Sequence, residues 1–144
     1  MRIAFVVGRF YEDLADRLVA GARAVFTEAE GESEIDEFTV PGAYELPMAA
    51  KLAAESGRYA AVVCLGAVIR GQTSHYDYVC GESARGIMDV QLSTGVPCSF
   101  GVLTVDNLDQ AIARSGGDKR DSGRHAAEAV LAMLAVKEQL AVPR

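Results

Sequence analysis

The chain has 144 residues, of which 50% are hydrophobic and 24% charged, and it carries a formal net charge of -6. That length can bury one proper core, and the acidic balance, without any basic stripe, argues against a nucleic-acid-binding surface. No apolar run approaches the roughly 20 residues that span a bilayer, which argues against a membrane protein. Residues 1–144 therefore read as one globular domain.

Arg2 to Gly8 is a β-rich run too short for a signal peptide, and it lacks that peptide's small-residue cleavage site. Phe10-Tyr-Glu-Asp13 opens a helix with Leu14, Leu18, Ala22, Val25 and Phe26 at helical spacing. Gly31-Glu-Ser33 is a loop. Ile35 to Val40 alternates as a strand, with Ile35, Phe38 and Val40 available for burial, and Pro41-Gly42 stops it. A second helix follows from Leu46 to Glu55 and is closed by Ser56-Gly57-Arg58. Ala60 to Val68 is apolar on both faces, as expected of a central parallel strand under two helical layers.

A third helix runs from about His75 to about Leu92, and Val96 to Thr104 is the next strand. Asp106-Asn107 caps a short helix from Leu108 to Arg114, and Ser115 to Gly123 is a polar loop. The last helix, from about Arg124 to Leu140, sets Ala127, Val130, Leu131, Leu134 and Ala135 on one face. Strand and helix alternate throughout. The expected class is α/β, a three-layer α/β/α sandwich around a parallel sheet of about four strands. Cys64, Cys80 and Cys98 are odd in number and show no C-x-x-C spacing. They read as structural thiols in a reducing cytoplasm, neither disulfides nor metal ligands.

Ligands of such sheets lie beyond the carboxyl ends of the strands. Three strand ends carry unusual residues: Gly8-Arg9-Phe10, Pro41-Gly-Ala-Tyr-Glu45, and Gly66 to His75. They should meet at one rim. At the third, the chain turns through Gly71 into Gln72, Thr73 and Ser74, which should supply a hydroxyl cap, and then into helix. The free N–H groups of the first turn and the helix dipole suit an anion such as phosphate. His75 stands beside that site as the natural proton carrier near neutral pH. Phe10 is either core or a platform for a planar ring. Glu45 either favours a helix N-terminus or accepts from a polyol. His125 reads as a surface residue without a partner. Phe100 and Arg114, taken within one chain, read as core packing and a helix-end cation.

Taken together, Gly8-Arg9-Phe10, Val40 to Pro47, Leu65 to Tyr78, and Gly101-Val-Leu-Thr104 followed by Gln110 to Arg114 resemble the 6,7-dimethyl-8-ribityllumazine synthases. The resemblance covers nearly the whole chain, in order and with compatible spacing. It implies a flavodoxin-like fold and the penultimate step of riboflavin biosynthesis, carried out without a cofactor. In that step 5-amino-6-(D-ribitylamino)uracil condenses with 3,4-dihydroxy-2-butanone 4-phosphate. The resemblance also assigns roles. Phe10 would stack on the pyrimidinedione, Ala43, Tyr44 and Glu45 would line the ribityl chain, and Ala67, Val68 and Ile69 would contact the heterocycle. Gln72 and Thr73 would bind phosphate, and His75 would transfer protons. Phe100 and Arg114 would come from a neighbouring subunit.

The implied assembly is a pentamer, which in some relatives builds a decamer or a 60-subunit shell, with riboflavin synthase as a further partner. The chain departs from the family pattern at two places. Tyr11 stands where many relatives have Asn. Asp121-Ser122-Gly123 stands where they have Asn-Lys-Gly, so that Lys119 or Arg120 would supply the second phosphate cation. Two other readings are an archaeal-type riboflavin synthase and a non-catalytic flavin-binding homologue. The Gly71 to His75 block and Arg114 favour a phosphorylated substrate.

Overall fold

The computed structural model describes residues 1–116 and 119–141. Its strands are β1 (Arg2–Gly8), β2 (Glu34–Val40), β3 (Ala61–Ile69) and β4 (Cys98–Val105). Its helices are α1 (Glu12–Glu28), α2 (Leu46–Glu55), α3 (His75–Thr94), α4 (Leu108–Ala113) and α5 (Ser122–Ala141), with a 3-10 turn at Ala43–Glu45. The strands form one parallel sheet in the order β2-β1-β3-β4, the α/β flavodoxin-like arrangement.

The two inner strands explain their own composition. Residues 3–8 of β1 and 61–66 of β3 are all buried, because helices cover both faces. Successive side chains point to opposite faces, so one run of apolar residues feeds two cores. Ile3, Phe5, Val7, Ala61, Val63 and Leu65 pack under α1 and α5. Ala4, Val6, Val62 and Cys64 pack under α2 and α3.

The edge strand β2 is less buried than its alternation suggested. Ile35 and Val40 are half-buried, and Phe38 stays 38% exposed, its ring edge-on to Tyr59 at 5.9 Å. An edge strand has a neighbour on one side only, and here the helical cover is partial: Ile35 and Val40 pack against the two cores and Arg23 of α1 bonds Glu37 at 2.7 Å, but Phe38 is left uncovered. Below it, the Asp36 carboxylate accepts from the Tyr59 hydroxyl at 2.7 Å and the Arg2 guanidinium at 2.6 Å. Those two bonds hold its pKa below the ordinary carboxylate value. They lie at the sheet's amino end, opposite the ligand rim.

The end of the chain also differs from the expectation. The polar loop is shorter, and α5 begins at Ser122 because Asp121 Oδ1 accepts from the Arg124 N–H at 3.1 Å and caps it. Gly117 and Asp118 of that loop lie outside the described residues. Gly123 sits against the carbonyl oxygen of Leu18, where any Cβ would collide, so α1 and α5 cross in backbone contact. Ala135, expected on the packed face, is exposed, while Ala127 and Val130 are buried. Among the described residues no helix is long and apolar enough to cross a membrane.

Candidate active site

All four strands run the same way, so their carboxyl ends share one rim. The chain steps from β1 to β2 in one direction and from β3 to β4 in the other. A crevice therefore opens above β1 and β3. At the end of β1, Gly8 approaches the next loop so closely that a Cβ there would lie 3.0 Å from the Gly42 carbonyl carbon. Arg9 donates its N–H to Val40 at 3.0 Å and pairs with Asp16 at 2.7 Å, fixing where the chain leaves the sheet. Phe10 is thereby thrown outward, 74% exposed, with Tyr11 edge-on behind it at 4.9 Å.

The second loop, after β2, tightens into the 3-10 turn Ala43–Glu45 before α2. Glu45 Oε1 accepts from the Gly42 N–H at 2.9 Å. The carboxylate is therefore oriented by its own loop, with Oε2 still able to accept. Tyr44 is exposed and Ala43 is buried beneath it.

The third contribution comes from β3. Ala67, Val68 and Ile69 are half-buried where the helical cover runs out, and α3 begins at His75. The expected hydroxyl cap is placed differently. Ser74 makes no side-chain cap, and Thr73 Oγ1 accepts from the His75 N–H at 3.3 Å. Of the first-turn N–H groups, that of His75 is thus taken by Thr73 and that of Asp77 donates to the Ser74 carbonyl at 3.0 Å, which leaves the Tyr76 N–H as the donor the helix start can offer.

These loops enclose a cleft of about 670 Å³. Phe10, Ala43, Tyr44, Glu45, Ala67, Val68, Ile69, Thr73 and His75 all line it. Gln72 does not; it is exposed on the turn. Tyr11, Tyr76, Tyr78 and Val79 line it as well. The sequence reading passed over Tyr78 and Val79, although they stand three and four residues after His75, the spacing of one helix face. The cleft thus combines aromatic surface, one carboxylate, one imidazole and a helix N-terminus. That set suits a planar polar ring bearing hydroxyls, together with an anion.

Phe100 and Arg114 are not in this cleft. They line a second one of about 620 Å³ along the free edge of β4, between α3 and α5. Arg120 and His125 line it too, and Lys119 does not. The structure overturns the reading of His125 as partnerless, since its Nδ1 lies 3.2 Å from Arg120 Nη2. Ser99 Oγ is buried there with no hydrogen-bond partner among the described residues. Arg114 is half-buried and donates from Nη1 to the Gln110 carbonyl at 3.2 Å. Asn107 caps α4 as expected, its Oδ1 accepting from the Gln110 N–H at 2.9 Å.

Burial pushes the Cys64 thiol well up and the Cys98 thiol up to about 11, which keeps both as neutral packing groups. Among the described residues no three His, Cys, Asp or Glu side chains gather as a metal site.

A family model described as 6,7-dimethyl-8-ribityllumazine synthase matches residues 1–138. Proteins named 6,7-dimethyl-8-ribityllumazine synthase from Deinococcus radiodurans and Deinococcus deserti are 50% and 49% identical to the chain over 135 residues. Each alignment covers 93% of this chain and 85% of the relative. A match of that extent, on a fold whose rim joins three of the segments that carry the resemblance, means that the chain belongs to the 6,7-dimethyl-8-ribityllumazine synthase family.

Proposed function

We propose that the protein condenses 5-amino-6-(D-ribitylamino)uracil with 3,4-dihydroxy-2-butanone 4-phosphate to give 6,7-dimethyl-8-ribityllumazine, phosphate and water. It is an enzyme of riboflavin biosynthesis acting on small molecules. The observation that carries the site assignment is the single cleft holding Phe10, Glu45, Ala67 to Ile69, Thr73 and His75.

The chemistry needs two substrates in register and several proton transfers. The 5-amino group attacks the ketone and water leaves to form an imine. Phosphate then departs, the resulting enol tautomerises to a ketone, and the second amine attacks that carbonyl and closes the ring with loss of a second water. Phe10 supplies a face for the pyrimidinedione, and Glu45 Oε2 accepts from ribityl hydroxyls. The donors at Thr73 and the start of α3 hold phosphate as it leaves. His75 carries protons between the amine, the departing water and the enol. Holding both partners in place can supply roughly 7–11 kcal/mol of the barrier, which makes positioning the larger contribution.

In this reading Phe100 and Arg114 complete the cleft of a neighbouring copy, because within one chain they line a different groove. The family resemblance makes that assembly pentamer-based. Tyr44, Met48, Leu52, Tyr78, Met88 and Leu92 leave apolar surface on and around α2 and α3, which favours association. We place the enzyme in the cytoplasm, where riboflavin synthase would consume its product.

Incubating purified protein with both substrates and following the lumazine absorbance tests the reaction; absence of product rejects it. Mixing His75→Ala and Arg114→Ala chains by unfolding and refolding them together tests the shared site. Activity above that of either variant alone is expected, and none would place both residues in one subunit's site.

A further inference from the structure

The turn that carries His75 has little holding it locally. Residues 71–75 are all exposed, Ser74 provides no cap, and the one side-chain bond within the turn is Thr73 Oγ1 to the His75 N–H at 3.3 Å. Five exposed residues beginning with glycine would ordinarily sample many conformations. The residue just before them bridges the gap. The Arg70 N–H continues the β3–β4 ladder to the Val105 carbonyl at 2.8 Å, and Nε bonds Asp106 Oδ1 at 3.0 Å. Its guanidinium carbon lies 4.2 Å above the Tyr76 ring, and Nη1 is 3.7 Å from Asp77 Oδ1.

We propose that Arg70 is a positioning residue for the reaction. It clamps Tyr76 and Asp77, the residues that follow His75, to the ends of β3 and β4, and so sets the imidazole and the first amides of α3 against the cleft. The proposal rests on the proton-carrying role of His75 given above.

Arginine suits this task because its planar group can stack on a ring and bond a carboxylate at once; lysine cannot do both. Arg70 does not itself line the cleft, so it acts through its neighbours. Its ion pairs are about half exposed, and such pairs contribute little to global stability. The clamp should therefore govern local geometry and leave the melting temperature nearly untouched, which separates it from an ordinary structural contact.

The test uses the full chain with Arg70→Met and Arg70→Lys. Each variant is read by hydrogen–deuterium exchange over residues 71–77, by thermal melting, and by kcat and KM for each substrate. Exchange in that segment should quicken and the rest should not change, with Tm within about 4 °C of the parent. Turnover should fall by about tenfold to a hundredfold. KM should rise for the phosphorylated substrate and stay within about twofold for the pyrimidine. Lysine should fare no better than methionine.

Unchanged exchange and turnover in Arg70→Met would overturn the proposal. Full turnover in Arg70→Lys would show that charge alone matters, and faster exchange across the whole chain would show a merely structural role; either overturns it. Should the parent make no lumazine, the functional reading fails by itself, and the exchange data still decide whether Arg70 holds the turn.

Discussion

At the scale of single residues, the proposed site divides into groups that would touch the substrates and groups that would aim them. If His75 moves protons while the cleft supplies register, His75→Ala should lower kcat by about 10²–10⁴-fold and leave a measurable rate, with circular dichroism unchanged. Complete loss in a folded variant would contradict the weight placed on positioning. Phe10 presents its ring to solvent and has Tyr11 behind it as a prop. Phe10→Ala should raise KM for the pyrimidine about twofold to tenfold, the worth of one aromatic contact, without a matching change for the butanone phosphate; steady-state kinetics with each substrate varied in turn would read this. The residue types at the rim were legible because strand ends in a parallel sheet converge. Finer choices were not. Thr73 and Ser74 are adjacent hydroxyls, and only the backbone path of the turn decides that Thr73 accepts from His75 and that Gln72 turns away from the cleft.

Among the elements, the tightest join is between α1 and α5, where Gly123 meets the Leu18 carbonyl. Gly123→Ala should destabilise the fold by about 1–3 kcal/mol through overpacking. Calorimetry should show Tm falling by about 3–10 °C, and an unchanged Tm would mean the helices can separate freely. The thiols of β3 and β4 give a second test. The folded Cys98 pKa is raised from an ordinary 9.0 to about 11 by burial. The folded state therefore holds that proton more tightly than the unfolded chain does. Its stabilising effect is whole below pH 9 and fades as pH climbs toward 11, an amount on the order of 2–3 kcal/mol. Melting scans across that window should show the decline, and Cys98→Ala should lessen it, the buried Cys64 thiol, also pushed up, keeping the rest. At this scale the sequence reading was close for the inner strands, whose runs are apolar on both faces. It erred at the edge and at the last helix. Phe38 stays partly exposed because the cover over the edge strand β2 is incomplete, and α5 starts earlier because Asp121, read as loop, caps it.

For the molecule as a whole, the decisive fact is that one chain carries two clefts and that the expected site residues are shared between them. If copies associate so that each cleft faces the other kind, the mass in solution should be a multiple of the 15.3 kDa chain, fivefold for the pentamer proposed above. Light scattering would measure this, and a monomer that still turns over both substrates would defeat the shared site. The sequence by itself determined the α/β class, the helical cover on both faces and the three rim segments, because period, apolar runs and turn residues are local and sum along the chain. Only the tertiary structure decided which of Lys119 and Arg120 lines the β4 groove, that His125 has a partner, and that Arg114 lies outside the cleft of His75. The His125 pair depends on the path of the turn before α5, and the other two depend on how distant segments are carried through space by the order β2-β1-β3-β4, which no local pattern of residues encodes.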